Sequence, residues 1–238
     1  MKMRKTGFID LHRVRHGKLT GLLYVFKGDR GGYELDESFD YSVDNVPALP
    51  SESGDIREYV VSVPLEVLNF RVLKLPFSDK GKIMKVIPFE LEGLIMGGAE
   101  SIVFDASVLG GGGDAFDVLV TYVEKKTLGD ILNLLSAQGI DPQTVTSLEL
   151  RATKEKGADD IALRLMNPVE IHPEERIRAA KDELSGYTVN LRTGPFAYTR
   201  DREKAGKTLR TTAILLMLLA LLIHAYLAFR TVTERRAG

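Results

Sequence analysis

An α/β domain carrying one apolar C-terminal helix is the fold class that the sequence predicts. Across residues 1–199, segments with alternating apolar residues are interleaved with segments of helical period, the mixture expected of an α/β or α+β domain. The short strand candidates are bounded by proline and glycine, and the most apolar stretch of all, Thr211 to Phe229, follows the last of them. Composition removes several kinds of chemistry. The 238 residues contain no cysteine, so disulfide bracing, thiolate catalysis and cysteine metal sites are excluded. A formal net charge of −1 gives no broad electrostatic reason to expect nucleic acid.

The N-terminal segments "TGFIDL" and "LTGLLYVF" predict two strands joined by a turn around "HRVRHGK", and "YELDESFDYSV" predicts a third after the glycine-rich "KGDRGG". "DNVPALPSESGD" reads as a loop. "REYVVSVP" and "FRVLKLP" are strand candidates ended by Pro64 and Pro76, with Val61, Val63, Val72 and Leu75 expected in the core. Ile83, Val86, Ile87, Leu91, Leu94 and Ile95 recur at helical spacing, and Pro88 requires that helix either to kink or to start late. "SIVFDASVLGGGGDAFDVLVTYV" predicts a hairpin joined by its four glycines. In "KKTLGDILNLLSAQG", Leu128, Ile131, Leu132 and Leu135 form one apolar face and Gly139 suits the exit. Beyond it, "KEKGADD" reads as a charged turn and "IALRLM" as a short strand. "HPEERIRAAKDELSG" reads as a helix opened by Pro173 with two glutamates and followed by Gly186, and "YTVNLRTGPFAY" as extended chain.

No residue from Ala213 to Phe229 carries a fixed charge. Counted from Thr211, the 19 residues would run roughly 28 Å as a helix, close to the hydrocarbon thickness of a bilayer. Arg200, Arg202, Lys204, Lys207 and Arg210 precede it, and Arg230, Arg235 and Arg236 follow. The heavier basic flank on the N-terminal side places the N-terminus in the cytoplasm. The start of the chain has no continuous apolar region of the kind a cleaved signal peptide needs.

Candidate chemistry is sparse. Gly110–Gly113 and the Gly81-Lys82 pair lack the spacing of a phosphate loop. Asp10 is the more serious candidate: an acid ending the first strand, before a turn whose amides face a phosphate, is one way to hold magnesium and nucleotide. The turn instead holds Leu11, His12 and Arg13 where close backbone approach wants small residues, so Asp10 reads as structural. His12 and His16 lie in the same turn and read as surface residues, and His172 reads as a helix cap. His224, inside the apolar stretch, needs either a partner helix or the headgroup layer. The scattered Asp and Glu residues read as solvated surface. No catalytic, cofactor-binding or metal-ligating residue is assigned, and no cofactor is expected.

"VVSVPLEVLNFRVLKLPFSD", "KVIPFELEGLI", "VLVTYVEKKTLGDILNLLSAQGIDPQTVTSLELRA" and, nearer the apolar segment, "VNLRTGPFA" occur in that order. Together they resemble the L component of the type II (general) secretion pathway, in the wider group that contains the type IV pilus M protein. The resemblance covers most of Arg57–Arg151, then Val189–Phe229. It implies an α/β, actin-like (ribonuclease H-like) cytoplasmic domain over residues 1–199 with a reduced second lobe. A basic juxtamembrane linker (200–210), a transmembrane helix (211–229) and a short periplasmic tail (230–238) complete the expected organisation. The implied role is a noncatalytic scaffold of the bacterial inner membrane, single-pass, that docks the cytoplasmic secretion ATPase. Implied partners are the M component of the pathway, the polytopic platform protein and further copies of the chain. The alternative is a membrane-tethered actin-like nucleotide-binding protein of a type IV pilus complex. "DLHRV" lacks the glycine of the pilus relative's first phosphate loop and "GADDIALRL" lacks a good second one, so ATPase activity is not expected. A family member would continue into the periplasm, so a chain stopping at Gly238 is expected to be truncated, a fragment or a minimal variant.

Overall fold

Alternation along the first strand, β1 (Arg4–Arg15), sends its side chains into two different cores. Ile9 and Leu11 enter one, Phe8 the other, and all three are fully buried. A strand apolar on both faces belongs in the middle of a sheet, and β1 is central in a five-stranded sheet ordered β3-β2-β1-β4-β8. The computed structural model describes residues 4–15, 18–29, 32–43, 56–95, 97–112, 114–155, 161, 165, 170–199 and 217. The chain divides into two units, Met1–Ala197 and Tyr198–Gly238.

In this sheet β1, β2 (Lys18–Asp29) and β3 (Gly32–Ser42) run antiparallel, while β4 (Ile56–Ser62) and β8 (Thr144–Thr146) run parallel to β1. The long crossover from β4 to β8 carries a second sheet of three antiparallel strands, ordered β5-β7-β6. These are β5 (Asn69–Leu75), β6 (Ile102–Gly112) and β7 (Ala115–Glu124).

Helices cover both faces of the larger sheet. Helix α2 (Lys125–Ala137) buries Leu128, Ile131, Leu132 and Leu135 against Ile9, Leu11, Leu23, Val61 and Val145. Its exit follows from Gly139: at φ 76° only glycine sits without strain, and Ile140 N–H reaches back to Leu135 O at 3.0 Å. On the opposite face α3 (Leu148–Glu155) and α4 (Pro173–Ser185) pack Leu148, Ala180 and Leu184 on Phe8, Tyr24, Phe26 and Val60. Helix α1 (Lys80–Leu91) covers the smaller sheet with Ile83, Ile87 and Leu91. Asp79 caps it by accepting from Lys82 N–H at 2.9 Å.

Several expectations are corrected. β1 continues to Arg15, so Asp10 lies inside the strand and not at its end. Helix α1 contains Pro88 in its last turn and closes three residues later at Leu91, which leaves Leu94 outside the helix and 53% exposed. Val72 is 38% exposed on the edge strand β5, whereas Val61, Val63 and Leu75 are buried as expected. Gly110, Gly111 and Gly112 extend β6 instead of forming the hairpin turn. Ile161 and Leu165, expected in a strand, are helical, four residues apart, and buried with Leu65, Leu119 and Leu150. The loop 44–55 and His16 lie outside the described residues. So does the expected span Thr211–Phe229, Met217 apart, and among the described residues no helix is long and apolar enough to cross a membrane.

One glycine is fixed by close approach. Gly21 on β2 faces Leu11 in the β1 register, and a Cβ built there would stand 1.8 Å from the carbonyl oxygen of Asp10. Gly21→Ala must therefore push β2 away from β1, at an expected cost of about 3 kcal/mol. Gly110→Ala, where nothing lies within 4 Å, should stay within about 0.5 kcal/mol. Urea midpoints of the two variants check the contrast.

Candidate functional site

The β1 residues that alternate with the α2-facing pair point toward α3 and α4, and Asp10 is among them. Its side chain is fully buried, where an unpaired carboxylate could not persist. Arg176, in the first turn of α4 and 7% exposed, supplies the partner. Its Nε donates to Asp10 Oδ2 at 2.7 Å and its Nη2 to Oδ1 at 3.2 Å, so both carboxylate oxygens are engaged by one guanidinium. The same Nη2 donates to Glu149 Oε1 at 3.2 Å. Glu149 is itself oriented by α3 and accepts from Leu65 N–H through Oε2 at 3.0 Å.

His12 completes the cluster. The β1–β2 register shifts between Leu11 and Arg13, a bulge in β1 at His12. His12 Nδ1 lies 3.1 Å from the carbonyl oxygen of Asp10 and 3.5 Å from its Oδ2. Burial by itself pushes the Asp10 carboxyl up. Hydrogen bonds from His12 and Arg176, with the guanidinium charge, outweigh it and hold the group below the usual carboxylate value. Arg176 is correspondingly raised, since its own burial is outweighed by Asp10 and Glu149. Tyr24, 1% exposed, has a hydroxyl without a hydrogen-bond partner, and burial followed by the Asp10 charge pushes its pKa up to about 12.

A cavity of about 410 Å³ opens beside the cluster, lined by His12, Leu65, Glu66, Glu149, Glu170 and Arg176 among others. Three of these are carboxylates, which repel a phosphate chain. A magnesium nucleotide held at Asp10 would need free carboxylate oxygens and small residues for close backbone approach. Here both oxygens are bonded to Arg176, and His12 stands where the approach would be made. The residues do not fit that cofactor.

Asp10 stands out in the sequence, whereas Arg176, Glu149 and a second buried carboxylate, Glu183, do not. Glu183 on α4 is fully buried and accepts from Thr146 Oγ1 at 2.8 Å, from Arg151 Nη1 at 3.1 Å and from Thr188 N–H at 3.1 Å, with the Thr188 hydroxyl as a further partner. Asp105 on β6 is likewise buried, held by Lys80 at 2.9 Å and by the backbone N–H groups of Ala106 and Asn190 at 2.8 Å each. These acids are the opposite of the solvated surface expected of them. His172 does occupy the N-cap of α4, without a side-chain capping bond. Among the described residues no group of His, Asp and Glu is arranged to hold a metal ion.

No family model matches the chain, and no curated protein matches it. Among solved structures, the chain is similar to the cytoplasmic domain of EpsL, an inner membrane component of the type II secretion system of Vibrio cholerae. That similarity has 19% identity and a TM-score of 0.44, over 62% of this chain and 58% of that one. A second similarity, to the PilM–PilN type IV pilus biogenesis complex, has 13% identity and a TM-score of 0.45, over 65% of this chain and 51% of that one. The chain thus spans little more than half the length of either structure.

Proposed function

We propose that this chain is a noncatalytic scaffold of a type II secretion assembly, with a reduced actin-like domain on the cytoplasmic side of the inner membrane. The observation that carries the noncatalytic half is the Asp10–Arg176 pair: the acid best placed to hold magnesium is closed by a guanidinium bonded to both of its oxygens. The actin-like half is supported by the strand order β3-β2-β1-β4-β8, an antiparallel trio extended by two parallel strands with helices on both faces. It is supported too by where the "VNLRTGPFA" block lies. Leu191 N–H bonds to Val145 O at 2.8 Å beside β8, and Arg192 Nη2 pairs with Asp141 at 3.1 Å.

In this reading the domain offers the docking surface for the secretion ATPase, and Thr211–Phe229 spans the membrane beside the M component and the platform protein. Tethering raises the local concentration of the motor at the membrane without any turnover by the tether. Two measurements test it together. The purified full chain is expected to retain the secretion ATPase in a pull-down, and to release no phosphate from Mg-ATP above the buffer rate. Failure to retain the ATPase sinks the scaffold role. Magnesium-dependent hydrolysis lost in Asp10→Asn would establish the pilus-type nucleotide-binding alternative in its place.

A further inference from the structure

A second cavity, of about 500 Å³, lies away from Asp10. Its walls are the start of α1 (Lys80, Ile83), the strand β6 (Ala106 to Val108), the α3 residues Arg151 and Lys154, and the turn Gly186–Thr188. The volume falls within the range of roughly 300–1,000 Å³ common for small-ligand sites. Three cations line it, and their balancing charges differ. Lys80 is paired with Asp105 at 2.9 Å and Arg151 with Glu183 at 3.1 Å, and both carboxylates are withdrawn into the protein, at 4% and 0% exposure. Lys154 is the third. It follows Arg151 by three residues on α3, so the two side chains share one helix face. Among the described residues no carboxylate forms an ion pair with it.

Burial, and then the nearby Arg151 charge, lower the Lys154 pKa from its ordinary value, and the Glu183 charge offsets them only in part. On the β6 wall, Ser107 adds a hydroxyl without a hydrogen-bond partner, so a donor as well as a charge is left over. Arg151 and Lys154 lie one turn apart on α3 and Lys80 lines the same cavity from α1, so three cations border one space of about 500 Å³. Such an arrangement matches a compact anion of high charge density better than an extended acidic peptide.

We propose that this cavity binds a small phosphate-bearing ligand, with Lys154 as its principal ionic contact and Arg151 and Lys80 flanking. The phosphate could be supplied as a free inorganic anion or within a phosphate ester, and the test separates the two. Calorimetric titration of the full chain in magnesium-free buffer, with inorganic pyrophosphate in one arm and a nucleoside diphosphate in the other, should give saturable binding in at least one. Equal affinities identify an anion site, and a stronger nucleoside diphosphate identifies an ester site. Lys154→Gln, whose partly exposed position spares the fold, should weaken binding about tenfold or more, as loss of one hydrogen bond to a charged group does. Lys154→Arg should restore most of it, and raised salt should weaken the wild-type complex. No saturable heat in either arm overturns the proposal. So does unchanged affinity in Lys154→Gln, or binding of an oligoglutamate peptide where pyrophosphate has none.

Discussion

Arg176→Ala is expected to cost about 3–5 kcal/mol of folding stability, because it leaves a buried carboxylate without its counter-charge. Asp10 cannot turn to solvent from the centre of β1, and among the described residues His12, 3.5 Å from its Oδ2, is the partner that remains once the guanidinium is gone. The loss is not a measure of what the pair contributes. Replacing both partners together, Asp10→Leu with Arg176→Met, removes the two desolvation penalties as well as the attraction, and such exchanges are often neutral or stabilising. Equilibrium urea unfolding followed by circular dichroism, run as a double-mutant cycle, checks this: the double variant should recover most of what Arg176→Ala loses. A double variant as unstable as the single one would show that packing at α4, and not the uncompensated charge, sets the cost.

The same variant should reverse the sign of the pH dependence. In the native chain the folded Asp10 pKa lies below its ordinary 3.8, so the unfolded state binds the proton more readily. The stability from this group is therefore present above that ordinary value and is lost as pH falls through the folded one. Arg176→Ala removes the guanidinium's hydrogen bonds and charge, so burial, the largest influence on this carboxyl, is expected to raise its pKa above 3.8 against the His12 contact that remains. Stability is then fully present below the ordinary value and lost as pH rises through the new one. The urea midpoint of the variant should climb as the buffer is taken from neutral toward mildly acid, where the native chain shows no gain from Asp10.

What was legible in the sequence follows the strength of each physical signal. Helix α2 is legible because its four leucine and isoleucine positions face one core and its exit needs Gly139. The β1–β2 unit runs beyond its apolar pattern. "HRVRHGK" is polar, yet β1 carries on through a bulge at His12, and polarity alone does not end a strand whose backbone is paired. The buried acids were missed for a different reason. Asp10, Glu183 and Asp105 are buried because Arg176, Arg151 and Lys80 come to them from 166, 32 and 25 residues away in the chain, and no local pattern shows that pairing. One signal was there. Arg176 and Glu183 fall seven apart on α4, on the same face as the buried Ala179 and Ala180, so two charges occupied positions that a helix gives to its apolar stripe.

Glu183→Ala is the second large effect expected, about 2–4 kcal/mol, below that of Arg176→Ala because the groups it orphans differ in their access to water. Thr146, the last residue of β8, is fully buried and loses its side-chain acceptor outright. Arg151 is 22% exposed and keeps the carbonyl oxygen of Gly186 at 2.7 Å, so its charge is partly resolvated. Thr188 N–H, which opens the segment leading to Val189 and Leu191, is released. The damage should therefore be local as well as global. Amide hydrogen exchange is expected to accelerate at Thr188–Leu191 more than in β1 or α2, while the urea midpoint falls. Glu183→Gln should lose less, since one oxygen still accepts, but its NH₂ then faces donors already in place. A uniform rise in exchange over the whole domain would mean that Glu183 matters only to overall stability. Confinement to this segment would mean that one carboxylate fastens α3, α4 and β8 to the chain that continues beyond them.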